Sequence, residues 1–273
     1  MECLYEQISL NLDEEYMVVQ DNRMIMAKYD MSLLEQKLFL ILVSTIKKDD
    51  KAFKETSLRV KDLAEIMGVS PENLYRDLKK ICLTLTDKKV EVEKDDGGWL
   101  IAPIMKYAEY HKDKGIISLC LNDKLEPYFL QLKKFFTQYG LENALSLSGK
   151  YSIRIYQLSK SYLYKNEFII PLDEFKNKLS LTAKSYDQYK TMNQRVLSPS
   201  ISEINSKTDI NITCEGIKEG RSIKHLKFTV KNKNSDQKKV VKFAKKSKGH
   251  FNNYEQRTYD NLEAMLMPDL YKE

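Results

Sequence analysis

Behind Asp30-Met31-Ser32, apolar residues at Leu34, Leu38, Ile41, Leu42 and Ile46 recur at helical spacing, and Ser32 with Glu35 has the form of a capping box. A helix is predicted there. Ser57–Val60 reads as a short strand, Asp62–Met67 as a brief helix, and Gly68 is placed to end that helix in the left-handed region. Ser70 then offers an N-cap, with Pro71 at the first helical position. From Pro71 to about Leu85, a single stripe is formed by Leu74, Leu78, Ile81 and Leu85. At about 100° per residue, Arg76 lies nearly opposite that stripe, flanked by Asn73, Lys79 and Lys80. Val90–Val92, the turn Asp95–Gly98 and the return Trp99–Met105 read as a hairpin. Ile116–Leu121 is a further strand after the Asp113-Lys114-Gly115 turn.

Helix, short strand, helix, tight turn, helix and hairpin is the order of a winged helix-turn-helix. The second half repeats it. Tyr151, Ile155, Leu158 and Tyr162 mark a helix and Phe168–Ile170 a strand, while Leu172, Phe175, Leu179 and Leu181 repeat the spacing of Val60, Leu63, Met67 and Val69. The offset of about 112 residues indicates a duplicated domain, not a solenoid. Ser185 with Gln188 forms a second candidate capping box, opening a helix toward Ser206. Its predicted inner face holds Tyr186, Tyr189, Val196, Leu197, Ile201 and Ile204; its outer face holds Gln188, Thr191, Arg195, Ser198 and Ser202. Pro199 should kink or split this helix. Ile210–Cys214, a turn over Glu215–Gly220 and Leu226–Val230 complete a second hairpin wing.

Between the halves, Lys124–Tyr139 has a helical rhythm in Tyr128, Leu132, Phe135 and Phe136, interrupted by Pro127 and closed by Gly140. It is predicted to be a strut. The fold class expected is therefore α+β, two tandem winged helix-turn-helix domains joined by a helical strut and followed by a basic C-terminal tail. Residues 20–133 form the first domain, 134–231 the second, and 232–273 the linker and tail.

Composition narrows the function. The chain has 273 residues, 42% hydrophobic and 31% charged, a globular profile. Its mean hydropathy is −0.51, and its longest apolar run, Leu38–Val43, is far short of the roughly 20 residues a bilayer requires. Met1-Glu2-Cys3-Leu4 opens neither a basic nor an apolar leader region, so a soluble cytoplasmic protein with no membrane partner is expected. Cys3, Cys82, Cys120 and Cys214 lie far apart and His111, His225 and His250 stand singly, so neither a disulfide framework nor a metal site is expected. Gly149-Lys150 is followed by Tyr151 and is no P-loop. No catalytic residue, metal or cofactor is assigned.

Charge adds direction. Lys and Arg number 45 against 39 Asp and Glu, a net +6. Lys231, Lys233, Lys238, Lys239, Lys242, Lys245, Lys246 and Lys248 are interrupted only by Asp236. Such a block suits a polyanion, though it also serves as a soluble tether. Asn73, Arg76, Lys79 and Lys80 on one helix, and Thr191, Gln194, Arg195, Ser198 and Ser202 on the other, are groups that read base edges in a major groove. The alternative is a merely solvated face. Lys94 and Trp99 in the first hairpin, and Lys218, Arg221 and Lys224 in the second, are candidate contacts to phosphate or minor groove; Trp99 would otherwise pack within its hairpin.

Four stretches resemble one family: Asn22-Arg-Met-Ile-Met-Ala-Lys28, Phe136-Thr-Gln-Tyr139, Ser148-Gly-Lys-Tyr-Ser-Ile-Arg-Ile-Tyr156 and Arg195-Val-Leu-Ser-Pro-Ser-Ile-Ser-Glu-Ile-Asn205. They are similar to the initiator Rep proteins of theta-replicating, iteron-bearing plasmids over about residues 20–231, with Ser200 where the family pattern has Ala. The resemblance implies paired winged helices on directly repeated double-stranded origin DNA, origin melting, and recruitment of the host initiator and replicative helicase. It also implies a monomer–dimer switch, the first domain forming the homodimer and dimers repressing their own promoter. Phe251-Asn-Asn-Tyr-Glu-Gln-Arg-Thr-Tyr-Asp260 resembles a short C-terminal motif of other replication proteins and would be a docking peptide. Two alternatives remain. A winged-helix transcriptional repressor or a phage replisome organiser would use the same groove chemistry, whereas a nicking relaxase would need a histidine pair that the sequence lacks.

Overall fold

The computed structural model describes residues 16–233. Strand β1 (Met17–Asp21) runs into the short helix α1 (Asn22–Met26), and Asp21 caps it by accepting the Arg23 N–H. Helix α2 (Leu33–Ser44) has the expected capping box, in which Ser32 accepts from the Glu35 N–H and Glu35 accepts from the Ser32 N–H. From Glu35 to Ser44 every residue of α2 is buried. That pattern belongs to a helix covered on all sides.

The first winged unit continues with β2 (Thr56–Arg59), α3 (Val60–Met67), α4 (Pro71–Asp87), β3 (Lys89–Glu93), β4 (Trp99–Pro103), β5 (Met105–His111) and β6 (Ile116–Leu121). Gly68 ends α3 at φ 69°, and the Val69 N–H closes the motif on the Ala64 carbonyl at 3.0 Å. Two residues on, Ser70 caps α4 by accepting the Asn73 N–H. Leu74, Leu78, Ile81 and Leu85 are all buried. Each such leucine contributes about 1.5–3 kcal/mol, so the stripe fixes which face of α4 stays in water.

Grouped by the repeated order of helix, strand, two helices and hairpin, the second unit is taken to comprise β7 (Phe136–Gly140), α5 (Leu141–Leu145), α6 (Lys150–Ser161), β8 (Glu167–Pro171), α7 (Leu172–Lys178), α8 (Tyr189–Met192), α9 (Ser198–Lys207), β9 (Ile210–Glu219) and β10 (Ser222–Asn232). The two antiparallel sheets have one topology. Their orders are β2-β6-β5 and β8-β10-β9, the first strand of each three-stranded sheet pairing with its last. The matched apolar sets are matched in burial too: Val60, Leu63 and Met67 in one, Leu172, Phe175 and Leu179 in the other. Around Phe168 the second core is aromatic, with Tyr162 stacked at 4.4 Å and Phe228 at 4.8 Å between ring centroids.

The sequence expectations need four corrections. Lys124–Tyr139 is not a helical strut. A 3-10 helix covers Asp123–Tyr128, the backbone then reverses through Gln131 (φ 51°) and Phe135 (φ 54°), and Phe136–Gly140 is strand β7, paired antiparallel with β1. Second, Ser185 and Gln188 do not form a capping box. Lys184–Asp187 is a 3-10 turn and helix α8 begins only at Tyr189. Third, the strand returning from the Asp95–Gly98 turn breaks at Ile104, where β4 gives way to β5. Fourth, the second hairpin does not turn over Glu215–Gly220: β9 runs to Glu219, and Gly220 (φ 63°) with Arg221 makes a tight turn.

Cys82 and Cys120 are buried free thiols and Cys214 is half-buried. Burial pushes the Cys82 and Cys214 thiols up to about 11 and about 12. Among the described residues no helix is long and apolar enough to cross a membrane. Cys3, the lysines from Lys238 to Lys248 and the Phe251–Asp260 stretch lie outside the described residues.

Candidate nucleic-acid interface

Helix α4 offers its polar face to solvent, with Asn73, Arg76, Lys79 and Lys80 all exposed. The Arg76 guanidinium donates through Nε and Nη2 to Asp77, both at 3.0 Å. That hydrogen bond raises the Arg76 pKa above its ordinary value. The pair is exposed and screened, so the guanidinium can exchange Asp77 for another acceptor.

The second recognition helix is built differently. α8 and α9 are joined without a break by one turn of π-helix, Asn193–Leu197. Pro199 lies two residues beyond it and carries no N–H, so the wider turn accommodates a position that an α-helix would leave short of a donor. Gln194 and Arg195 sit in this π turn, and Ser198 and Ser202 follow in α9; all four are exposed. Thr191 is half-buried and is the least available of the predicted set. The inner face is held by Met192, Val196, Leu197 and Ile204, with Tyr186, Tyr189 and Ile201 packed beside it.

The wing of the second unit is the β9–β10 hairpin, with its turn at Gly220 and Arg221, whereas that of the first unit is not the hairpin expected from the sequence. Lys218 on β9, Arg221 in the turn and Lys224 on β10 are exposed along the second wing. In the first unit Lys94 and Trp99 belong to β3–β4, which forms a separate two-stranded sheet bridged to Lys28 through Glu91. By sheet order the wing equivalent to β9–β10 is β5–β6, with Lys112 and Lys114 exposed at its tip. Tyr75 of α4 meets Tyr110 of β5 edge-on at 6.4 Å, holding that wing beside the helix. Trp99 does not pack into its hairpin; it is 66% exposed. The sequence hides β5 because a bulge between Met105 and Tyr107 shifts the register and breaks the two-residue alternation. The Asp113–Gly115 turn was the available signal.

Parts of the first three family-like stretches meet at the seam between the units, whereas the fourth caps α6 from within the second unit and also carries Arg195, Ser198 and Ser202 on the exposed face. Thr137 donates to Asn22 at 2.6 Å; Gln20 and Gln157 both donate to the Tyr139 hydroxyl, at 3.0 and 2.7 Å. Glu203 of α9 accepts the Ser148 and Gly149 N–H groups at 2.7 and 3.2 Å, capping α6 where glycine supplies no side chain. Burial works against its charge, but hydrogen bonds from Lys207, Ser152 and Ser148 hold its carboxyl down at about 2. Asn205 bonds Ile212 through both its N–H and its carbonyl, and Lys233 donates to the Asn205 and Thr208 carbonyls, tying off α9.

The family described as Initiator Replication protein, WH1, matches residues 17–160, and its companion, Initiator Rep protein, WH2, matches residues 171–230. The chain belongs to the initiator Rep protein family. A replication initiation protein of Escherichia coli is 31% identical over 226 residues, covering 79% of this chain and 70% of the relative. A PI protein of Escherichia coli is 31% identical over 205 residues, covering 63% and 67%. The crystal structure of the Pi initiator protein in complex with iteron DNA superposes with a TM-score of 0.65 at 26% identity, over 80% of this chain and 97% of that one. This Rep protein is accordingly a pair of winged helices.

Proposed function

We propose that this Rep protein initiates plasmid replication by binding directly repeated origin DNA, placing α4 and the α8–α9 helix in successive major grooves of one duplex. What carries the reading is that both helices turn a polar, cationic face to solvent on a fold that superposes over most of its length with an initiator held on iteron DNA. Arg76 and Arg195 are the leading candidates for guanine contacts, with Asn73, Lys79, Lys80, Gln194, Ser198 and Ser202 beside them. Lys112 and Lys114 on one wing, and Lys218, Arg221 and Lys224 on the other, are assigned to phosphates.

The same reading includes melting of an adjacent A·T-rich segment, recruitment of the host initiator and helicase, a homodimer formed through the first unit, and repression of the protein's own promoter by that dimer. A replication assay in cells tests it. A plasmid carrying the direct repeats beside an A·T-rich segment is expected to persist only when this chain is supplied. Persistence without it, or loss with it, contradicts the proposal, and repression without replication would make the protein a regulator alone.

A further inference from the structure

Arg154 lies on α6 and is buried, and its guanidinium donates to neutral acceptors. Its Nη2 donates to the carbonyls of Ile25 and Ala27 at 2.9 and 2.8 Å, where α1 ends. Its Nη1 donates to the Tyr29 hydroxyl and, at 3.2 Å, to Gln157. The guanidinium carbon stands 3.9 Å from the centre of the Tyr29 ring. A planar fork from α6, the helix that precedes β8 and α7, thus clamps the end of α1 and the chain that leads into α2. Two further donors cross the same seam: Gln36 of α2 reaches the Lys150 carbonyl at 3.1 Å, and Lys178 of α7 reaches the Met26 carbonyl at 3.2 Å.

Burying a cation against neutral partners alone is costly, and an apolar side chain of similar volume would fill the seam at less expense. What the guanidinium supplies is direction. Four acceptors from two segments must meet one rigid fork, and an apolar contact, being non-directional, would allow the units to swivel.

We propose that Arg154 is a positioning residue: it fixes the angle between the two winged units and thereby the separation along DNA at which α4 and the α8–α9 helix can engage together. This rests on the reading that both helices contact one duplex. A flexible seam would lower the effective concentration of the second helix once the first is bound, and would relax the demand on spacing.

The test uses the full chain with Arg154→Met and Arg154→Lys. Nitroxides at Glu65→Cys on α3 and Asn177→Cys on α7, both exposed positions, report the distance between the units without DNA, in a background with Cys3 and Cys214 replaced by serine. Duplexes selected by the wild-type protein from a randomised pool, with and without base pairs inserted between the two contacted windows, report the register. Wild type should give one narrow distance and lose about tenfold or more in affinity on insertion. R154M should give a broad distribution, bind the uninterrupted duplex about tenfold more weakly and be nearly indifferent to insertion. A narrow, unshifted distance with wild-type spacing dependence in R154M overturns the proposal. Should R154M not fold, R154K, which keeps the charge but lacks the fork, takes its place, and the same two outcomes support or overturn the proposal. If wild type itself ignores insertion, the two-groove reading fails, while the distance measurement still decides the role of Arg154.

Discussion

At the scale of single residues, two kinds of arginine and one glutamate divide the labour. Arg76 and Arg195 are exposed and replaceable without cost to the core, so Arg76→Ala and Arg195→Ala should leave stability intact. Each is expected to weaken binding to the specific repeat by about 1–3 kcal/mol while changing binding to random duplex far less. Equal losses on both, in a titration at fixed salt, would reduce them to phosphate contacts. Glu203 acts on the fold instead. Its carboxyl is held at about 2 against an ordinary 4.5. A depressed folded-state value stabilises above pH 4.5, and the gain is lost as pH falls toward 2. Glu203→Gln should therefore cost about 1–2 kcal/mol at neutral pH, solvent screening trimming the full linkage value, and the gap to wild type should close near pH 2. Chemical unfolding followed across pH checks this; a gap that persists in acid would contradict it.

At the scale of elements, the two helix-turn-helix turns solve one problem with different residues. In the first, Gly68 takes φ 69° and the next N–H returns to Ala64. In the second, Ser180 takes φ 52° and the Leu181 N–H returns to Lys176 at 2.9 Å. A serine in the left-handed region carries strain that glycine does not. Ser180→Gly is expected to raise stability by about 0.5–1 kcal/mol, read as a higher unfolding midpoint; no gain would mean that the turn is not strained. The wings give a second comparison. Lys112→Ala with Lys114→Ala should lower the slope of log affinity against log salt by about 2, and Lys94→Ala should leave it unchanged. The opposite result would restore β3–β4 as the wing.

These elements also show where the sequence is legible. The helix, strand, helix, helix order inside each unit, both apolar stripes, the capping box at Ser32 and the Gly68–Pro71 turn follow from local chemistry, and the residues alone declare them. The second turn is hidden, because Ser180 gives no glycine signal. The supposed strut fails for a different reason. Tyr128, Leu132, Phe135 and Phe136 imitate helical spacing, while the partner that makes Phe136–Gly140 a strand is β1, far back in the chain. Pairing at that sequence distance leaves no local trace. Of the candidate interface, the exposed face of α4 is legible in its stripe. The first wing is not, and Thr191 looks free in the sequence although the fold half-buries it.

At the scale of the whole molecule, much of the pattern that marks the family lies where the two units meet. Asn22, Tyr139 and Arg154 tie the two winged units together and Glu203 caps α6 within the second, while Arg195, Ser198 and Ser202 of the same family-like stretches stand on the face proposed to touch DNA. The central claim is that a single chain engages both winged units on one duplex. Hydroxyl-radical and methylation-interference footprinting of the monomer on its repeat tests that most directly. Two protected windows about 10–10.5 base pairs apart on one face of the helix are expected, whereas one window, or two on opposite faces, would contradict it.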